Sequence, residues 1–299
     1  SKPILPALYF EDARAPNSAS RHSTTNELPS EVLSHCLSFT NWGDLAKLAC
    51  VQSSWSNIMT DAAKHSNDAK WELAQALLHG TSGLQKNAQR ALSLLKELAQ
   101  VDTNEKNLPV IPTEGDTTSD EEIVGFAPAM KAISECYFEG NGVPKEPATG
   151  LAWLQASFQL GKDIHGAHET AMLYEYGRSG IAVDVVAAAE WFKKAAEAGH
   201  VEAMAELGLC YELGCGVEQC DEQAMDWYTK AANCGHATAK FSVAEAFEEA
   251  RGVPQSDEEA CLWYYRAALV GDEDSKKALR RLYDIARIVV PGVADILDV

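Results

Sequence analysis

The sequence predicts an all-α protein: a small N-terminal helical unit, a stack of about five helical hairpins, and a capping helix at the C-terminal end. Three observations carry this. Tryptophans recur at Trp153, Trp191, Trp227 and Trp263, in steps of 38, 36 and 36 residues. Glycines keep the same step at Gly161, Gly199, Gly235 and Gly271. Ahead of each tryptophan lies a glycine- or alanine-bearing turn: "YFEGNGV", "YEYGRSGI", "YELGCGV" and "FEEARGV". A period in this range marks a chain of stacked units, each too small to bury its own apolar face.

Residues 1–26 are rich in Ser, Asn, Thr, Pro and Ala and have no sustained hydrophobic period, so a mobile arm is expected there. Residues 27–62 follow with a different pattern, "LPSEVLSHCLSFTNWGDLAKLACVQSSW". Leu-Pro opens a helix, because proline tolerates the first turn and presets φ. Val32, Leu33, Cys36 and Leu37 then share one helical stripe, and Leu45, Leu48, Val51 and Trp55 share a second. A three-helix unit this short barely encloses a core, and its surplus leucines point to packing against something else.

The stack spans 68–271. Its first copy carries Leu94 at the tryptophan position and "HGTSGL" at the turn. Residues 101–125, "VDTNEKNLPVIPTEGDTTSDEEIVG", break every helical pattern and read as an acidic loop inserted between copies one and two. In it Thr117, Thr118 and Ser119 precede three carboxylates, a context that suits an acid-directed kinase. Each copy holds two helices. The first is Ala-rich and ends near an aromatic (Tyr137, Tyr174, Tyr211 or Phe247); the second bears the tryptophan, expected in the hairpin core. Small residues let the two helices approach, and a glycine after the second suits a left-handed C-cap. Residues 272–299 supply an amphipathic helix with a basic face, "EDSKKALRRLYDIARIV", and a tail.

This pattern of Ala, Leu-Gly, Tyr, Gly-x-Gly-Val, Trp-Tyr, Lys-Ala-Ala and Gly resembles the Sel-1-like repeat, a cousin of the tetratricopeptide repeat. The resemblance implies a right-handed α-solenoid whose first helices line the concave face. Copy four fits best. Copy five departs most, with Ala244 and Ala250 at two glycine positions.

Residues 27–62 resemble an F-box. Leu28, Pro29, Glu31, Leu33, Leu37, Asp44, Leu45, Leu48, Val51 and Trp55 fall in register with that family, while Cys36, Thr40 and Gln52 stand where Ile, Leu and Cys are usual. The resemblance implies that Leu28, Pro29, Glu31, Leu33, Leu37, Leu45, Leu48, Val51 and Trp55 dock a Skp adaptor. Through it they would reach the cullin of an SCF-type ubiquitin ligase, with the solenoid holding the substrate. The other reading is a non-catalytic scaffold subunit in a stable assembly, with 27–62 serving only to pack against the stack.

Composition limits the remaining classes. A net charge of −19 argues against nucleic acid, whose phosphates need clustered Lys and Arg. No apolar run approaches the length of a membrane span. The eight cysteines are scattered, as in reduced cytosolic or nuclear proteins. A chain starting at Ser1 fits removal of the initiator Met or of an organellar targeting peptide alike.

No enzymatic motif stands out, so no catalysis, cofactor or metal is expected. The Gly-x-Gly turns sit between helices rather than after a strand. Cys210, Cys215 and Cys220, with Cys234 and His236, have weak zinc spacing, and Cys210 falls inside a helix. His200 and His236 each follow the closing glycine of a repeat, a position that reads as turn preference. The first helices carry an excess of acid. Glu139, Glu175, Glu206, Glu212, Glu245 and Glu248 are candidate contacts for a partner with a basic segment. Solvated helix faces with no partner would give the same pattern.

Overall fold

The structure, a computed structural model, describes residues 66–81, 84–111 and 125–286. The expected arm and F-box-like unit, with Leu28, Pro29, Glu31, Leu33, Leu37, Leu45, Leu48, Val51 and Trp55, lie outside these residues, as do Thr117, Thr118 and Ser119.

Among the described residues there are eleven α-helices and no sheet. They pair as five hairpins: α1 (Asn67–His79) with α2 (Ala88–Ala99), α3 (Ala127–Glu139) with α4 (Pro147–Gln159), α5 (Ile164–Tyr176) with α6 (Val185–Glu197), α7 (Val201–Leu213) with α8 (Asp221–Asn233), and α9 (Ala237–Glu249) with α10 (Asp257–Ala268). A last helix, α11 (Glu273–Ala286), closes the series. Each helix packs on the one before and the one after it, as expected of a stack whose hairpins bury only against neighbours.

Why these segments stop and start is local chemistry. Four of the five first helices end at a glycine in the left-handed region, and the fifth ends at Ala250, with φ 56° and ψ 38°. The second helices of copies three to five are followed by Gly199, Gly235 and Gly271 at φ 95–101°, where an added Cβ would meet nothing. Those glycines answer a backbone need rather than a shortage of space. In copy two the left-handed residue is Lys162, one position later than the expected Gly161.

The core forms three clusters, one in α1–α4, one in α5–α7 and one in α8–α11. The partly buried Met204 and Tyr211 touch both of the last two. Leu279 and Leu282 of α11 are buried on the last cluster, closing its open end. Trp153, Trp191 and Trp263 are buried, while Trp227 is only partly buried. In that hairpin the next residue, Tyr228, goes deeper. The basic residues of the second helices cover tryptophan faces: Lys194 over Trp191 at 4.1 Å, Lys230 over Trp227 at 3.7 Å and Arg266 over Trp263 at 4.5 Å.

The first half of the insertion is tied to the stack. Asn104 Oδ1 accepts from the backbone N–H of Lys106 and Leu108, forming a tight turn beneath a Thr103–Pro109 bridge. The indole N–H of Trp153 donates to the Asn107 carbonyl at 3.0 Å, and Lys96 Nζ donates to Asn107 Oδ1 at 3.0 Å. Residues 101–111 are therefore anchored by a core tryptophan.

Candidate protein-binding face

The repeat brings Glu175, Glu212 and Glu248 to the same place near the end of α5, α7 and α9. Two of them are consumed inside the fold. Tyr228 Oη of α8 donates to Glu212 Oε2 at 2.6 Å, and Arg251, on the turn after α9, donates to Glu212 Oε1. One repeat later Tyr264 Oη of α10 donates to Glu248 Oε2 at 3.0 Å. Arg281 of α11 donates to both oxygens of Glu248, at 2.5 and 2.7 Å. Burial, together with the facing carboxylate, pushes both phenols well up.

The sequence expectation for Glu212 and Glu248 is thus corrected. They are clasps between helices, already holding a hydroxyl and a guanidinium. Glu245 also faces inward, 3.7 Å from Arg251 Nη2, and Glu249 lies 3.0 Å from Arg251 Nε. Sequence reasoning missed Tyr228, Tyr264, Arg251 and Arg281. The repeated Glu-to-Tyr spacing of 16 residues was the available signal for the tyrosines. Arg251 and Arg281 stand at different repeat positions and gave none.

The other three expected residues differ in exposure. Glu139 is exposed and accepts from Asn141 Nδ2 at 2.6 Å. Glu206 is half-buried, and burial, with the charge of Glu175 beside it, pushes its carboxyl up. Glu175 has a buried Oε2 with no hydrogen-bond partner. Beside these carboxylates the first helices expose apolar side chains: Tyr176 at 51%, Leu209 at 40% and Leu213 at 62%. Large apolar groups are ordinary as scattered surface residues, but here Leu209 and Leu213 lie about one and two turns beyond Glu206 on α7, and Tyr176 follows Glu175 on α5 with Arg178 over its ring.

The histidines have a structural explanation. His200 Nδ1 accepts from Ala203 N–H at 3.2 Å and His236 Nδ1 accepts from Ala239 N–H at 3.1 Å, so each caps the first turn of its helix, as the turn reading expected. His200 Nε2 faces His165 Nδ1 at 3.1 Å, and the His200 ring stacks on His168. Cys210 is buried in α7, and burial pushes its thiol up to about 12; Cys136 and Cys261 are raised to about 11 for the same first cause. Such thiols stay protonated and are poor nucleophiles and ligands.

A family model, the Sel1 repeat, matches residues 67–100, 127–162, 164–200, 201–236 and 237–272, the same intervals that hold the five hairpins. The chain belongs to the Sel1 repeat family. Two solved structures share its fold. One is a protective antigen of uropathogenic Escherichia coli displaying an SLR fold, 23% identical, with a TM-score of 0.60 over 81% of this chain and 46% of that one. The chain thus spans less than half of that relative's length. The other is a Sel1 repeat protein from Oxalobacter formigenes, also 23% identical, with a TM-score of 0.50 over 81% of this chain and 88% of that one. A Sel1 solenoid is a frame for protein–protein interaction. Among the described residues no helix is long and apolar enough to cross a membrane.

Proposed function

We propose that this chain is a protein-recognition subunit with no chemistry of its own. Its Sel1 solenoid holds a protein partner on the first-helix face, and residues 27–62 dock a Skp adaptor and, through it, a cullin. That makes it the substrate-recognition subunit of an SCF-type ubiquitin ligase. The observation carrying the solenoid half is the juxtaposition of Glu175 and Glu206 with exposed Tyr176, Leu209 and Leu213. A surface combining charge with apolar area suits a partner segment bearing basic and apolar side chains. The adaptor half rests on the sequence register of Leu28, Pro29, Glu31, Leu33, Leu37, Leu45, Leu48, Val51 and Trp55.

The non-catalytic reading has its own support. The buried thiols are held protonated, and much of the acid on the face is committed to arginine and tyrosine. The test is copurification of the full chain with a recombinant Skp adaptor and cullin. The wild type retains both; Leu28→Ala with Pro29→Ala loses both and leaves the helical melting transition unchanged. Failure of the wild type to retain the adaptor removes the ligase assignment, and the scaffold reading takes its place.

A further inference from the structure

The clasp that binds Glu212 is missing one repeat earlier, and each missing part can be named. Phe192 stands where Tyr228 stands, so the hydroxyl is absent. Cys215 stands where Arg251 stands, so the guanidinium is absent too. Glu206 takes the place of Ser242, which adds a second carboxylate, and Ala189 takes the place of the larger Met225. The crevice holding Arg251 against Glu212 therefore has a counterpart around Glu175 with more negative charge, less side chain and no cation at the Arg251 position; the nearby Arg178 lies instead over the exposed ring of Tyr176, 4.9 Å from its centroid. The groups do converge: the charges of Glu175, Cys215 and Glu206 all bear on Cys210, and Glu175 bears on both Glu206 and Tyr176.

The cost of the missing parts falls on Glu175. Glu175 Oε2 is buried without a partner, and burial together with the charge of Glu175 pushes the Glu206 carboxyl up. A buried acceptor normally finds a donor. The next repeat shows which donor this geometry takes, a guanidinium held by Glu212, and the following one repeats the choice with Arg281 on Glu248. We propose that the crevice between α5, α6 and α7 is a socket for an arginine carried by the protein partner, its guanidinium bridging Glu175 and Glu206. A planar fork of donors satisfies two carboxylates where the point charge of lysine does not. Tyr176, Leu209 and Leu213 at the rim then cover apolar side chains next to that arginine. The inference rests on the solenoid's recognition role and adds the chemistry of what is recognised.

The test selects a random twelve-residue peptide library, displayed on phage, against the full chain, and resynthesises enriched peptides with a fluorophore. The expected peptides carry an arginine beside apolar residues. Replacing that arginine by citrulline, which keeps the shape and removes the charge, weakens binding about thirtyfold or more, and Glu206→Gln does the same from the protein side. Cys215→Arg sets a guanidinium on the turn where Arg251 stands one repeat on. It plugs the socket, abolishing peptide binding while raising the melting temperature. Enriched peptides without arginine, no enrichment at all, or affinity unchanged by Cys215→Arg overturn the socket. So does a melting temperature that rises with Zn²⁺ alone and not with peptide, which gives the crevice to a metal ion. Peptides that ignore Cys215→Arg but lose affinity with Leu213→Ser discard the socket and leave the recognition role of the first-helix face standing.

Discussion

The third and fourth hairpins share one helix plan, apart from one extra residue in the turn Arg178–Gly180 of the third, and differ in how they spend one glutamate. In the fourth, Glu212 receives a tyrosine hydroxyl and an arginine, and the charge ends inside the fold. In the third, Glu175 receives no donor from those two positions, which hold Phe192 and Cys215; the phenol that bears on it is that of exposed Tyr176, and its Oε2 is buried without a partner. The same carboxylate is therefore cement in one hairpin and an unmet demand in the next. In a repeat protein the departure from the internal pattern marks the candidate site more sharply than the pattern does.

Breaking the clasp in the fourth hairpin should have the largest effect. Arg251→Met leaves Glu212 half-buried with one hydrogen bond, and the loss of a charged hydrogen bond there is expected to cost about 2 kcal/mol. Urea denaturation measures it. A loss no larger than that of an exposed substitution such as Lys277→Met would mean that solvent, not Glu212, carries Arg251. Building the missing half of a clasp should move the third hairpin the other way. Phe192 is buried, and Phe192→Tyr offers its hydroxyl to Glu175 as Tyr228 does to Glu212, for a gain of about 1 kcal/mol. A loss of stability instead would show that the ring has no room to turn its hydroxyl toward Glu175.

These differences explain what the sequence could and could not show. The hairpins were legible because Trp153, Trp191, Trp227 and Trp263 repeat, and burial of a repeated face is a property of spacing. The caps were legible at His200 and His236 because a turn preference is local. The fate of the acidic residues was not legible. Glu175, Glu212 and Glu248 look alike in the chain, and what separates them is set by Cys215, Arg251 and Arg281, which lie more than thirty residues away. Trp227 was expected to be core on the strength of its period, yet its neighbour Tyr228 goes deeper, as Phe192 and Tyr264 do beside Trp191 and Trp263, so the position after the tryptophan is the inner one whether or not it carries a hydroxyl.

The turns extend the comparison to the fifth hairpin. Ala250 adopts the left-handed conformation that Gly214 adopts one repeat earlier. A Cβ costs about 1–2 kcal/mol in that region, and glycine gives back about half of it through the entropy of the unfolded chain. Ala250→Gly should therefore stabilise the chain by roughly 0.5–1 kcal/mol, and Gly214→Ala should cost a similar amount. Equal melting temperatures for the two variants would mean that the backbone relaxes around the substituted turn.

The smallest expected effect concerns acid and the histidines that join α5 to α7. Burial, the first cause, holds His200 and His168 below the ordinary 6.5. As pH falls below about 6.5 the unfolded chain binds protons before the folded one, so stability is lost from there downward, until the folded histidines also protonate. Protonation puts a hydrogen on His200 Nδ1, the atom that caps Ala203 N–H. The charged groups around it pull in both directions. Glu202, 3.5 Å from Nδ1, and Asp163 favour the proton, while His165 opposes it; at His168, Glu169 favours it. Glu206 and Glu245, raised by burial, act oppositely on the whole fold, since their stability returns as pH falls through their folded values. The wild-type profile alone therefore mixes the two signs, and a difference between variants separates them. His200→Asn keeps a good cap and removes the titration. At pH 7.5 it should be less stable than the wild type by about 1 kcal/mol, because the cap is kept while the buried ring that stacks on His168 is lost. At pH 5 the wild type should have lost more of its melting temperature than the variant. Parallel profiles would show that His200 takes up its proton equally in the folded and unfolded chains, and that the cap between the third and fourth hairpins does not respond to acid.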